Sequence, residues 1–235
     1  MPVISDLRVS VTADELVRSW GSRRPRLETP RMLARVSELL ARIESEHWLH
    51  PQISYGLWPV NFVGPEGIEL TDGSRLQASL ANQYLPGATY IGVGVCTIGD
   101  TLETHVAELF EAKDRLRGVL LDEVGSLALY RLSDRLEERM QEEAALHGLD
   151  ISGVLNPGDD GFDLGGHGLV LELSGGASLG ISVTKLGMLR PQKSVSLLVG
   201  LGQNMPKWNR AERCERCVMR DRCPQREFLT SEVAQ

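Results

Sequence analysis

Three of the four cysteines of this 235-residue chain fall inside one ten-residue stretch, CERCVMRDRC, at positions 214–223. Cysteines that merely fill a core are scattered along a sequence; a Cys-x2-Cys turn with a third Cys shortly after it suits a metal or a redox reaction. Cys214, Cys217 and Cys223 stand among Arg213, Arg216, Arg220, Arg222 and Arg226. Guanidinium groups favour thiolate over thiol, and thiolate is the form that binds a metal or attacks a disulfide. Three thiolates leave one tetrahedral position open. Zinc would fill it with a further protein ligand, Cys96 or a histidine such as His105 or His167. An iron-sulfur cluster normally takes four Cys ligands, although one position can be open or non-Cys. Free or redox-switching thiols are the remaining reading, and Cys96 is equally readable as a small buried hydrophobe. The spacing is not the Cys-x3-Cys-x2-Cys of radical S-adenosylmethionine enzymes.

Composition limits what can hold these groups. With 42% hydrophobic and 24% charged residues the chain is ordinary for a globular protein. Its length fits one large domain with a small appendage better than two full domains. A net charge of -7 argues against general nucleic-acid binding, which relies on neutralising many phosphates. No run of eighteen apolar residues offers a membrane span. The start, MPVISDLRVSVTADEL, lacks the apolar stretch of a secretory signal. The expectation is a cytoplasmic protein without nucleic-acid or membrane partners, in a reducing compartment where clustered cysteines bind metal or do redox work.

The positioning elements follow from periodicity. Met32, Leu33, Val36, Leu39, Leu40 and Ile43 recur at helical steps after Thr29-Pro30, an N-cap and a first-turn proline. His47 and His50 at its end read as terminus residues, not ligands. ISYGLW and GIEL read as strands around a TDGS turn, and TYIGVGV as a buried strand ending at Cys96. Asp100-Thr101 starts a helix expected to reach about Arg117, Gly118 interrupts, and a long helix is expected over Val119 to Leu146. The acids of DRLEERMQEE on that helix read as a solvated face. GVLNPGDDGFDLGGHG is too rich in glycine for a regular element and reads as a functional loop. LVLEL, SLGISVT and SVSLLVGLG are expected as strands. The fold class is α+β, a mixed or antiparallel twisted sheet with long central helices, plus a short Cys-rich C-terminal segment.

In their order, TIGDTLE, DEVGSLALYRLSDRLEERM, the Pro-Gly loop, LGISVTKLGMLRPQKSVS and the closing Cys cluster resemble the reactivation domain of cobalamin-dependent methionine synthase. The resemblance extends to small stand-alone relatives found near corrinoid methyltransferases, and it covers roughly residues 85–226. It implies an activation-like domain over residues 1–210 and a Cys-rich metal-binding tail over 211–235. It also implies an accessory protein that docks on a corrinoid-binding protein or methyltransferase. The corrinoid is carried by the partner, and the accessory protein supports reduction of oxidised cobalt. An iron-sulfur cluster or zinc would sit on the cysteines; the alternative is a non-catalytic subunit with a structural zinc. Members of that family bind S-adenosylmethionine through a loop like Arg-x-x-Pro-Gly-Tyr. Here the stretch is Val154, Leu155, Asn156, Pro157, Gly158 and Asp159, followed by Asp160. The Pro and Gly match and the Arg and Tyr do not. Loss of the guanidinium removes a fork for the methionine carboxylate, and Asp159 with Asp160 would repel it, which counts against S-adenosylmethionine. The two acids suit a cation or an ammonium group instead. In that family the RPQKSVS stretch enters a strand beside the ligand groove, so the resemblance implies that Arg190 and Lys193 offer positive charge to an anionic corrinoid tail or a partner surface; solvated basic residues at a strand edge, entered through Pro191, are the equal alternative. No pair of nucleophile and base marks covalent catalysis.

Overall fold

Period-two runs rich in β-branched residues build an antiparallel sheet of seven strands, and 3.6-period runs build the helices on its faces. The computed structural model describes residues 1–20, 28–217, 219–223 and 226. In chain order come β1 (Val3–Ile4), α1 (Ala13–Ser19), α2 (Pro30–Ser45), β2 (Gln52–Gly64), β3 (Gly67–Leu70), β4 (Arg75–Gln77), α3 (Ala81–Tyr84) and β5 (Tyr90–Thr97). Then follow α4 (Thr101–Glu111), α5 (Arg115–Leu146), β6 (Asp150–Ile151), α6 (His167–Ser174), β7 (Ser182–Val183), β8 (Leu189–Arg190), β9 (Ser194–Gly202) and α7 (Arg210–Arg216). The sheet runs β4-β3-β2-β5-β9-β6, with β1 added beside β2, and β7 pairs β8 in a separate hairpin. Every pairing is antiparallel. The α+β class with an antiparallel sheet and a long central helix is thereby established.

β5 lies at the centre, and its alternation divides the core. Ile91, Val93 and Val95 face the cluster that contains Val170, Leu171 and Leu173 of α6. On the opposite face Gly92 and Gly94 admit Leu136 and Met140 of α5; a Cβ on Gly94 would lie 3.0 Å from both side chains. The two glycines let the helix approach the strand more closely than side chains would permit. Cys96 belongs to this α5 face and is fully buried.

Three expectations are corrected. The stretch containing LVLEL is not a strand: it is the core of α6, ended by Gly175 in the left-handed conformation at φ 73°. A five-residue apolar run has no readable period, and a glycine that closes a helix decides it. SLGISVT supplies only the two residues of β7, because Gly176–Leu179 forms a 3-10 turn. Gly118 does not interrupt a helix. The break falls at residues 112–114, where Lys113 takes φ 62°, and Gly118 lies inside α5 against the Phe110 ring. The expected boundary between residues 210 and 211 falls inside the first turn of α7. Of the tail, residues 218, 224, 225 and 227–235 lie outside the described residues. No helix among the described residues is long and apolar enough to cross a membrane.

Candidate functional site

The outer edge of β9 is only partly covered. β6 pairs with Leu201 and Gly202, and Leu155 bridges Leu198. Ahead of these, Ser194 to Leu197 border a cavity of about 820 Å³. Tyr130, Ser133 and Glu137 of α5 form one wall, Asn156, Pro157 and Asp159 another, the β7–β8 hairpin with Met188 and Arg190 a third, and Trp208 to Cys223 the last.

The 156–159 loop is tied to β9 by a side chain. Asn156 Nδ2 donates to the Ser196 carbonyl at 2.7 Å, its backbone N–H donates to the Asp159 carboxylate at 2.8 Å, and the Asp159 N–H returns to the Asn156 carbonyl at 2.9 Å. Gly158 closes this turn at φ 101°, a conformation that side chains with a Cβ disfavour. The match of Pro157 and Gly158 therefore has a backbone cause: one residue sets φ, the other permits its reversal.

The tail docks through its arginines. Trp208 lies flat over Gly153, where a Cβ would be 2.2 Å from the ring, and its Nε1 donates to the Val154 carbonyl at 3.0 Å. Asn209 and Glu212 form a capping box that starts α7. Arg210 pairs with Asp134 and lies over the Tyr130 ring. Arg213 donates to Asn156 Oδ1. Arg216 lies over both the Tyr84 ring at 4.8 Å and the Trp208 ring at 4.9 Å. This docking brings Cys214, Cys217 and Cys223 onto the same cavity. The Met219 N–H donates to Cys217 Sγ at 3.4 Å, a bond that strengthens if the sulfur is charged.

The electrostatics depart from the sequence expectation. Burial pushes the Cys214 thiol above its ordinary value; Arg213 opposes this, while Cys223 and Cys217 add to it. The five arginines do not act as one positive field, because most are turned elsewhere. Arg216 lies on rings, Arg220 pairs with Asp221, and Arg226 with Glu215. Burial also lifts Glu137, whose neighbour Asp134 raises it further while Arg210 and Arg213 pull it down. Asp159 is raised by burial against the Asn156 N–H, Arg213 and Arg216. Tyr130 is pushed up to about 12 by burial and by Cys223.

Of the residues singled out from sequence, the cavity collects Asn156, Pro157, Asp159, Arg190, Cys214, Cys217 and Cys223, and also His167, whose Nδ1 meets the Gly187 carbonyl at 2.7 Å. Gly158 shapes the turn, and Asp160 is exposed on a neighbouring recess with Tyr84 and Arg216. Lys193 does not offer its charge outward: its Nζ is held by Asp122 at 2.8 Å and Ser126 at 2.9 Å. Cys96 is not brought to the other thiols; it is sealed in the core, its thiol pushed up to about 12 by burial. His105 stacks on Trp48 and pairs with Glu108. Among the described residues no three His, Cys, Asp or Glu side chains are gathered tightly enough to hold a metal ion. Tyr130, Ser133, Glu137 and Trp208 were not anticipated. The i, i+3, i+7 spacing of the first three on one helix face was the available signal.

No protein-family model and no curated protein matches the chain. Among solved structures it is similar to a crystal structure of the MetH reactivation domain bound to AdoHcy, with a TM-score of 0.63 and 16% identity over 92% of this chain and 84% of that one. At that identity the likeness establishes a shared fold.

Proposed function

We propose that the chain is an accessory protein of a corrinoid-dependent methyltransferase, which docks on a cobalamin-binding partner and supports return of oxidised cobalt to its working state. The observation that carries this reading is the shared fold with the MetH reactivation domain over 92% of the chain. The cavity at the β9 edge, bordered by the Pro157-Gly158 turn, is the place for an adenosyl sulfur compound of the kind bound in that neighbour. Cys214, Cys217 and Cys223 are the residues that would hold an iron-sulfur cluster or zinc. A cluster would supply one-electron chemistry beside the cavity. The protein carries no corrinoid of its own in this reading and works in a reducing, cytoplasmic setting. A decisive test is a reduction assay with a purified corrinoid protein in the Co(II) state, a chemical reductant, and the chain added or withheld. Faster loss of the Co(II) absorption with the chain present supports the reading, and an unchanged rate with no saturable binding overturns it.

A second reading, a non-catalytic subunit with structural zinc, is favoured by one specific finding. Arg210, Arg213 and Arg216 hold the tail on the body of the fold through Asp134, Asn156 and the Tyr84 and Trp208 rings, a structural role. Zinc without iron or acid-labile sulfide in anaerobically purified protein would select it.

A further inference from the structure

The sheet has a second open margin, at the opposite end of its strand order from β9 and β6. β4 is the last strand there and pairs with β3 alone. Antiparallel pairing turns alternate residues toward the neighbour. The Ala78 N–H donates to the Glu66 carbonyl and the Leu70 N–H to the Ser74 carbonyl, so Ser74, Leu76 and Ala78 face β3. Arg75, Gln77 and Ser79 therefore turn their peptide groups outward. Ser79 meets the Gly161 carbonyl at 2.7 Å, whereas among the described residues Arg75 and Gln77 have no backbone partner on that side. Exposed groups of this kind are a template for a further strand. A charged side chain can guard such an edge, but Arg75 is turned along the sheet face onto Glu69 at 2.7 Å. A hollow of about 730 Å³ borders the same edge. Gly64 and Gly67 lie opposite one another on β2 and β3 and leave that part of its wall without side chains. The Phe62 ring lies across Gly64 and remains 61% exposed. Glu66 and Asp163 also line the hollow, and among the described residues neither carboxylate has a hydrogen bond or ion pair.

We propose that this edge docks an extended, basic segment of a protein partner, added as a further strand beside β4. Main-chain bonds from Arg75 and Gln77 supply the pairing, and alternate side chains of the segment fall on the face that carries Phe62. Charge decides the occupant. Glu69 is matched by Arg75 and by Asn61 at 2.7 Å, which leaves Glu66 and Asp163 as the net negative groups beside an aromatic ring. A Lys or Arg side chain suits both, by attraction to carboxylate and by contact with the ring face. A second copy of this chain would set the same two acids against themselves. The hollow shares no residue with the cavity at β9, so either site can fail without the other.

The probe is a fluorescein-labelled peptide, Lys-Val-Lys-Val-Lys-Val, titrated with the full chain at low salt and read by fluorescence anisotropy. Saturable binding is expected. It should be lost when Glu replaces each Lys, and lost when every peptide amide is N-methylated and cannot pair. Gln77→Pro removes one outward N–H and no bond to β3. That variant should keep the parent's thermal transition and bind the peptide roughly 3- to 10-fold more weakly, the range for a lost hydrogen bond. Phe62→Ser should weaken binding about 2- to 5-fold, the range for an exposed cation–π contact. Unchanged affinity in Gln77→Pro, or equal affinity for the N-methylated peptide, overturns strand pairing; where the proline variant loses the parent's transition, the N-methylated peptide decides alone. Equal binding of the Lys and Glu peptides overturns the basic occupant. Absence of saturable binding up to about 1 mM overturns the site. A dimer of the chain in sedimentation that Gln77→Pro abolishes overturns it in favour of a second copy.

Discussion

Cys96 and Cys214 are the same residue type in two regions held together by different forces. Cys96 is 0% exposed on the α5 face of β5, where apolar volume decides everything and burial pushes its thiol to about 12. Cys214 is half-buried at the β9 edge, where an arginine, two further thiols and a cavity compete for its charge. The sheet face is fixed by close packing, the edge by a few directional bonds: Arg213 to Asn156, Trp208 to Val154, Arg210 to Asp134. Damage to the first should be felt by the whole fold. Damage to the second should change the site and leave the sheet standing.

The largest effect should come from the packed face. Leu136→Ala, a fully buried leucine against Gly94, is expected to cost about 2–5 kcal/mol in urea unfolding; a cost below about 1 kcal/mol would break the contrast. Next comes the edge. Gly153→Ala places a Cβ inside the Trp208 ring and should cost about 1–3 kcal/mol. Hydrogen exchange should then rise in residues 208–216 and stay slow in β5, whereas uniform acceleration would show that the two regions unfold as one. The cysteines sharpen the comparison further. In the proposal that places a metal on the tail, Cys96→Ala should lose about 1 kcal/mol and keep the metal content of anaerobically purified protein, while Cys217→Ala should do the reverse. Unchanged metal in Cys217→Ala sinks the assignment of the tail.

The smallest effect is a slope. The Glu137 carboxyl is raised above its ordinary 4.5, with burial the largest cause. The folded state therefore holds this proton more tightly than the unfolded chain. Its contribution is fully present below the unfolded value and is lost as pH rises through the folded one. Glu137→Gln lacks this loss, so the variant should gain on the parent in thermal stability as pH rises above about 4.5. A gap that shrinks over that range would mean the carboxyl is stabilised as an anion.

Much of the sheet was legible. β5 and β9 are long apolar runs, and α2 announces itself by Thr29-Pro30, whose threonine does accept the Met32 N–H. The reading failed where one residue overrode a pattern: Gly175 closes LVLEL into a helix, and Lys113 breaks the chain where Gly118 was expected to. At the site, the cysteines and the Asn156–Asp159 loop stood out because few folds need such residues at such spacing. DRLEERMQEE was mostly the solvated face it was read as, with Arg135–Glu138 and Arg139–Glu142 pairs, but Glu137 within it turns into the cavity. Locally, only its place on the helix face shared with Tyr130 and Ser133 distinguishes it from Glu138. The cavity that gives this face its use is completed by the docked tail, and that contact spans the fold. The same distance hid the purpose of the arginines, which adjacent thiols seemed to explain.

The pairing of β5 with β9 carries a consequence in time. Ser194 meets Thr97 across a sequence separation of 97 residues, so the central ladder cannot close until α4, α5 and the glycine loop have been gathered between the two strands. Contacts of such span slow the search for the native state, and refolding is expected in milliseconds to seconds, with α4 and α5 helical before the ladder forms. The cavity walls from α5 and from β9 lie on opposite sides of that closure. Protection of residues 208–216 against hydrogen exchange after dilution from urea should therefore lag the return of helical signal.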